Sequence, residues 1–132
     1  MSVQTFHSKC DKKGPTLVVC KAGKDKIGGY TNINWESLKG IYKYDDGPFI
    51  FSLNKNKKFM YTNKNRHSVF LHELHGPDFD WDFTFNYGNN MKIFFCATNS
   101  NGYSYSKEPL VGDGTKKEII ADEVEVFKVK TY

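Results

Sequence analysis

The sequence has no long apolar run. A membrane-spanning helix needs about 18 consecutive apolar residues, and charged side chains interrupt every apolar stretch well before that length. The first 15 residues also lack the apolar segment of a secretory signal, because Lys9, Asp11 and Lys12 break it. No Asn-x-Ser/Thr glycosylation acceptor occurs among the many asparagines. These absences predict a cytoplasmic or nuclear protein without membrane insertion.

Cysteine is scarce as well. Cys10, Cys20 and Cys96 are an odd number at wide spacings, so a disulfide framework is not expected. Cys20 and Cys96 lie in apolar runs, which raise the pKa of a thiol and make it unreactive. Cys10 is the exception, because three lysines lie within three residues of it. We therefore predict that any protection against oxidants does not arise from peroxide chemistry at Cys20 or Cys96.

Catalytic and metal-binding motifs are also absent. The chain has no Gly-x-Ser-x-Gly nucleophile elbow. The Gly28-Gly29 pair lacks the further glycine and helix of a phosphate-binding loop, and it is interpreted as a backbone turn. His67, His72 and His75 lie close together, but no fourth Cys or His follows at ligand spacing, so a zinc site is not predicted. The sequence thus predicts neither an enzyme nor a bound cofactor.

Three aspartates, Asp78, Asp80 and Asp82, alternate with aromatic residues. On a strand, their carboxylates would share one face, where they would either bind a hard cation or form a solvated surface that discourages edge-to-edge aggregation. Calcium loops place their ligands on a turn with a bending glycine, which this segment lacks. The solvated surface is the favoured interpretation.

Short apolar segments separated by Gly and Asn dominate the rest of the chain, and 16% of the residues are aromatic. This pattern is typical of strands. It predicts a single domain over residues 1–132 with a mainly β fold, a two-sheet antiparallel β-sandwich with one to three short helices. Asn34 would cap one helical turn from Trp35 to Leu38. Strands are predicted at Thr16–Lys21, Phe49–Leu53, Asp80–Asn86, Met91–Cys96 and Glu123–Lys130, the third and fourth of them paired as a hairpin.

The last predicted strand carries apolar residues on both faces. Strict alternation places Glu125 on the same face as Phe127, whereas Val124 and Val126 point the other way. Such a strand is expected to be central or well paired, with core on both sides. Glu125 would then be a structural acid held by hydrogen bonds, or it would mark a bulge that returns it to solvent.

One basic segment favours an alternative function. Cations interleave there with aromatic rings, which is the combination that single-stranded nucleic acid uses for binding. No RNA-recognition, KH or zinc-finger signature accompanies it, so a nucleic-acid binder and an enzyme of unknown chemistry remain alternatives to a protein-binding domain. The residues of this segment are Lys55, Lys57, Lys58, Tyr61, Lys64 and Arg66, with Phe59 between them.

Five phrases, in order, resemble the TLDc domain family in its short form. Residues 6–17 resemble the family's opening, in which a helical Phe-His precedes a Gly-Pro-Thr turn into the first long strand. Residues 27–31 with Trp35 resemble its Phe-Gly-Gly-Tyr-Thr and downstream Trp, with Ile27 in place of Phe. Residues 49–53, 76–77 and 123–127 resemble its next strand, central turn and closing strand. The matching positions, expected to be structural, are Gly14, Pro15, Gly28, Gly29, Tyr30, Trp35, Gly76, Pro77, Glu125 and Phe127.

The resemblance has implications for fold and function. It implies a two-sheet β-sandwich with small helices and a non-catalytic role in resistance to oxidative stress. For several relatives it also implies binding to the vacuolar-type proton ATPase. A protein partner of this kind is therefore expected.

Overall fold

The computed structural model describes residues 2–61, 68–79, 83–86, 92–95 and 117–130. These residues form one helix and eleven strands, and every strand pair is antiparallel, so the prediction of a mainly β antiparallel fold is confirmed. The elements are α1 (Val3–Cys10), β1 (Thr16–Ala22), β2 (Asp25–Thr31), β3 (Lys39–Lys43), β4 (Phe49–Ser52), β5 (Lys57–Met60), β6 (Val69–His72), β7 (Asp78–Phe79), β8 (Phe83–Asn86), β9 (Lys92–Phe95), β10 (Lys117–Ile120) and β11 (Glu123–Lys128).

The strands form three sheets around one core. A five-stranded sheet has the order β11-β1-β2-β4-β5, a four-stranded sheet has the order β10-β9-β8-β7, and β3 pairs with β6. Val18 from the first sheet, Phe79 from the second and Leu71 from the third are all buried in the same apolar cluster. The predicted hairpin is confirmed in the pairing of β8 with β9.

Helix α1 covers one side of this core. The Ser2 hydroxyl caps its start by accepting a hydrogen bond from the Thr5 amide at 3.0 Å. Val3, Phe6 and Cys10, at helical spacing, are its buried residues. In the described ranges, no helix has both the length and the apolar character needed to cross a membrane.

Two local predictions are wrong. Gly28 and Gly29 form no turn but lie within β2, paired with β1 on one side and β4 on the other. Trp35 begins no helical turn either, and it instead makes an isolated parallel bridge with Asp11. In both cases packing around the segment overrides its local preference.

The closing strand β11 is confirmed as a strand, but the predicted central position is wrong. It lies at the edge of the five-stranded sheet and pairs with β1 alone among the described strands. Val124 and Val126 pack against the core, whereas Glu125 and Phe127 are exposed, Phe127 to 47%. One face of β11 therefore meets the core, and Glu125 needs no buried partner.

This geometry predicts a small effect for Phe127→Ala. An exposed side chain contributes little, so we expect the free energy of unfolding to fall by less than about 1 kcal/mol. Val126→Ala removes half-buried carbon and should cost about 1–2 kcal/mol. Urea melts followed by circular dichroism measure both values. A cost for Phe127→Ala above that for Val126→Ala would contradict the edge placement.

Candidate functional site

Trp35 lies at the centre of the aromatic core. Its indole N–H donates to the Thr16 hydroxyl at 2.8 Å, and both residues are buried. The rings of Phe6 and Phe79 meet the indole edge to face, each with its centroid 5.7 Å away. This family-motif position thus ties α1, β1 and β7 together.

The glycine pair of β2 lies against two phenylalanine rings. A Cβ at Gly29 would come within 2.6–2.9 Å of the Phe79 ring. A Cβ at Gly28 would meet the backbone carbonyl of Val18 and approach the Phe51 ring to 2.5 Å. Only glycine allows this approach. The pair therefore has a packing role.

The remaining motif positions lie at turns and on an outer face. Gly14 has a φ of +83° and donates its N–H to the Asn34 side chain at 2.7 Å, and Pro15 leads into β1. Gly76 and Pro77 exchange backbone hydrogen bonds of 3.0 Å with Phe85. Tyr30 stacks on Phe49, with the ring centroids 5.3 Å apart.

A histidine on α1 binds the segment that follows β6. The His7 Nδ1 atom lies 2.8 Å from an Asp11 carboxylate oxygen. Its Nε2 atom carries a proton, because it contacts the carbonyl oxygens of His72 at 3.1 Å and His75 at 2.7 Å, and a carbonyl oxygen can only accept. The other oxygen of Asp11 accepts from the Ser37 hydroxyl. His7 and Asp11 are thus used to hold the fold together.

Asp78 does not lie on a solvated face, and that prediction is wrong for this residue. Only 4% of it is exposed. Its carboxylate lies 2.8 Å from His75 Nδ1 and accepts from the Thr84 hydroxyl at 3.0 Å, because β7 and β8 pair around it. Asp80 and Asp82 lie outside the described residues.

The histidine cluster contains two stacked rings. His72 and His75 have ring centroids 4.8 Å apart, and His72 Nδ1 accepts from the Leu74 amide. Desolvation, followed by the proximity of His75, lowers the pKa of His72. Within the described ranges, no group of three or more His, Cys, Asp or Glu side chains is placed to hold a metal ion. His67 lies outside those ranges.

A half-open cleft of about 460 Å³ lies between the start of β4 and the end of β5. We call it the tyrosine cleft. Asp45, one of its lining residues, is 4% exposed, and its carboxylate accepts from the Thr31 hydroxyl at 2.6 Å and the Asn32 amide at 2.8 Å. Asp46 is exposed. The lining residues are Tyr44, Asp45, Asp46, Gly47, Pro48, Met60 and Tyr61.

Further exposed apolar side chains lie on β3, which comes just before the cleft residue Tyr44 in sequence. Ile41 and Tyr42 are 48% and 40% exposed, and Tyr44 and Met60 at the cleft are 59% and 44% exposed. The Tyr42 ring packs against Phe70 of β6, with the centroids 4.6 Å apart. We call the set of Ile41, Tyr42, Tyr44 and Met60 the β3 surface. The sequence did not reveal it, because β3 was not predicted.

The basic segment is divided between the surface and the core. Lys58 lies over the Phe49 ring, 4.3 Å from its centroid. Phe59 and Tyr61 are partly buried and pack against the core cluster. Lys55 and Lys57 are on the turn before β5 and on β5 itself, and Lys64 and Arg66 lie outside the described residues. Both described aromatic rings of the segment, Phe59 and Tyr61, are thus engaged in packing.

The family model of the TLDc domain matches residues 1–130, which is nearly the whole chain. The chain belongs to the TLDc family. Among curated proteins, none matches this sequence. The resemblance inferred from the sequence is therefore confirmed.

This TLDc domain buries both of its described cysteines. Burial raises the pKa of Cys20 to about 12. Burial, with the negative charge of Asp11, also raises the pKa of Cys10, and these effects outweigh the nearby Lys9 and Lys13. Cys10 is therefore no exception to the predicted lack of reactivity. Cys96 lies outside the described residues.

The raised pKa values predict slow thiol labelling. In a Cys96→Ser variant, a disulfide reagent at pH 8 should modify the folded protein far more slowly than the urea-unfolded protein. Because the pKa of Cys20 is higher in the fold, its contribution to stability is complete below about pH 9 and is lost as the pH rises toward 12. Cys20→Ser should remove this loss of stability at alkaline pH. Equal labelling rates for the folded and the unfolded protein would contradict the predicted slow labelling.

Proposed function

We propose that this TLDc domain is a non-catalytic module that binds another protein through the β3 surface. The observation that carries the proposal is the concentration of exposed apolar side chains there. Ile41, Tyr42, Tyr44 and Met60 are each between 40% and 59% exposed. Tyrosine and methionine are enriched at interaction sites, so exposed residues of these types favour such a role.

The positions of the reactive side chains support a non-catalytic role. His7, Asp11 and Asp78 are engaged in hydrogen bonds that join α1, β7 and β8. The thiols of Cys10 and Cys20 are buried. In the described part of the chain, these groups serve the fold, and they provide no nucleophile paired with a base at a cleft.

Membership of the family supports the class of partner. Since several TLDc relatives bind the vacuolar-type proton ATPase, subunits of that enzyme are the proposed partner, and resistance to oxidative stress is the proposed context. The packing of Phe59 against the core makes the nucleic-acid alternative less favourable, because this ring is removed from base stacking.

Affinity capture from native lysate, with and without nuclease, tests the proposal. The purified domain should recover proton-ATPase subunits that survive nuclease. The double variant Ile41→Ser/Tyr42→Ser should recover much less. Leu53→Ser is the matched control, because Leu53 is 58% exposed on the β4–β5 turn, outside the β3 surface. Equal recovery by all three proteins would contradict the proposed surface.

The same affinity capture also tests the alternative function, nucleic-acid binding. Recovery of RNA or DNA that nuclease abolishes, and that Lys57→Ala/Lys58→Ala reduces, would replace the proposed function with nucleic-acid binding. Loss of recovery with Ile41→Ser/Tyr42→Ser but not with the lysine variant would exclude that alternative.

A further inference from the structure

We propose that the tyrosine cleft binds an arginine side chain of the partner protein. The inference rests on the proposed interaction role and adds the chemical group that the domain recognises. The cleft adjoins the β3 surface, since Tyr44 and Met60 belong to both. A partner lying on that surface would therefore place a side chain at its mouth.

The walls of the cleft suit a planar cation. Tyr44 and Tyr61 supply two aromatic rings, and Met60 supplies a polarisable thioether. A guanidinium group is attracted to ring faces and stacks on them, and it is more weakly hydrated than an ammonium group. The volume of about 460 Å³ is sufficient for one such side chain.

The negative charge of the cleft complements the positive charge of a guanidinium group. Asp46 and Asp45 both line the cleft, and Asp46 is exposed whereas Asp45 is buried. The Asp45 carboxylate accepts two hydrogen bonds, one from the Thr31 hydroxyl and one from the Asn32 amide. A charge that is largely removed from water attracts a cation more strongly than one in solvent. The chain as a whole has a net charge of +4, so this local acidity is opposite to its overall charge.

The backbone holds these groups in position. Phe49 pairs with Met60, and the Tyr61 amide donates to the Pro48 carbonyl at 3.3 Å. The Asp45 amide donates to the buried Ser68 hydroxyl. The backbone of the cleft is therefore held in place by strand pairing and by a buried hydrogen bond before anything binds.

The test uses the full chain labelled with ¹⁵N and the peptide acetyl-Gly-Gly-Arg-Gly-Gly-amide. We expect amide signals of Asp46, Gly47 and Met60 to shift on titration. The same peptide with citrulline, a neutral isostere of arginine, should bind about tenfold more weakly or not at all. Tyr44→Ala and Asp46→Asn should each weaken arginine binding about fivefold or more. Glu123→Gln, which removes an exposed charge on β11, should leave it unchanged.

Several results would overturn the proposal. Equal binding of the citrulline peptide, tighter binding of a lysine peptide, or shifts confined to residues outside the cleft would each do so. Amide spectra of both variants must match the folded wild type, and Tyr44→Phe, which keeps the ring, should retain binding.

The same variants separate this inference from the proposed function. If lysate capture of a protein partner survives Asp46→Asn and Tyr44→Ala while the arginine peptide does not bind, the cleft assignment fails and the interaction role stands. If the peptide binds selectively but the wild-type domain captures no protein, the interaction role fails.

Discussion

Trp35→Ala should lower the free energy of unfolding by about 3–5 kcal/mol. The indole is fully buried between Phe6 and Phe79, so its removal leaves a cavity. The change also deprives the buried Thr16 hydroxyl of its hydrogen-bond donor. A domain of this size typically has a stability of about 5–15 kcal/mol. The loss is therefore a large share of the total.

Urea unfolding followed by circular dichroism measures this cost, and Trp35→Phe is the matched control. Phenylalanine keeps an aromatic ring in the core but loses the N–H that reaches Thr16, so it should cost less, about 1–3 kcal/mol. An unchanged midpoint for Trp35→Ala would show that the indole does not hold α1 to the sheets. A greater cost for Trp35→Phe than for Trp35→Ala would contradict the packing argument.

Gly29→Ala should also destabilise the domain, by about 1–3 kcal/mol or more, because the added methyl group enters the space of the Phe79 ring. Phe79→Ala alone should cost about 3–5 kcal/mol. In the Phe79→Ala background, Gly29→Ala should cost much less, since the ring is gone. A double-mutant cycle isolates this coupling.

One outcome of the double-mutant cycle would contradict the proposed contact between Gly29 and Phe79. Strictly additive costs would mean that Gly29→Ala acts through the backbone of β2 and not through Phe79. Gly28→Ala gives a contrast within the same strand. Its methyl group would meet the Val18 carbonyl as well as Phe51, so removal of the Phe51 ring should not restore its stability.

Much of the β architecture could be predicted from local pattern. The apolar run at Thr16–Lys21 and the alternation through Phe83 and Phe85 coincide with β1 and β8. The turn-prone residues 87–90 correctly predicted the β8–β9 hairpin. In these segments, hydrophobic periodicity and turn residues agree with the fold, so local sequence was sufficient.

The errors arise where distant residues determine the local structure. Gly28-Gly29 has low strand propensity, yet Phe51 and Phe79 require a strand with no side chain at those positions. Trp35 follows a helix-capping residue but bonds to Thr16 instead. These contacts span many residues, and no short sequence window contains them.

The tyrosine cleft could not be predicted from the sequence for the same reason. Tyr44 and Asp46 are separated in sequence from Met60, and the pairing of β4 with β5 brings them to one cleft. Asp78 illustrates the converse. Its alternation suggested a solvated face, but His75 and Thr84 provide partners that make burial favourable.

The most direct test of the proposed interaction role is amide hydrogen exchange on the purified domain, alone and in complex with the partner protein recovered by affinity capture. The β3 surface predicts slower exchange on binding at residues 39–44 and 57–61. Exchange at β11, on the far edge of the five-stranded sheet from β5, should not change. Protection confined to β11, with residues 39–44 unaffected, would contradict the account.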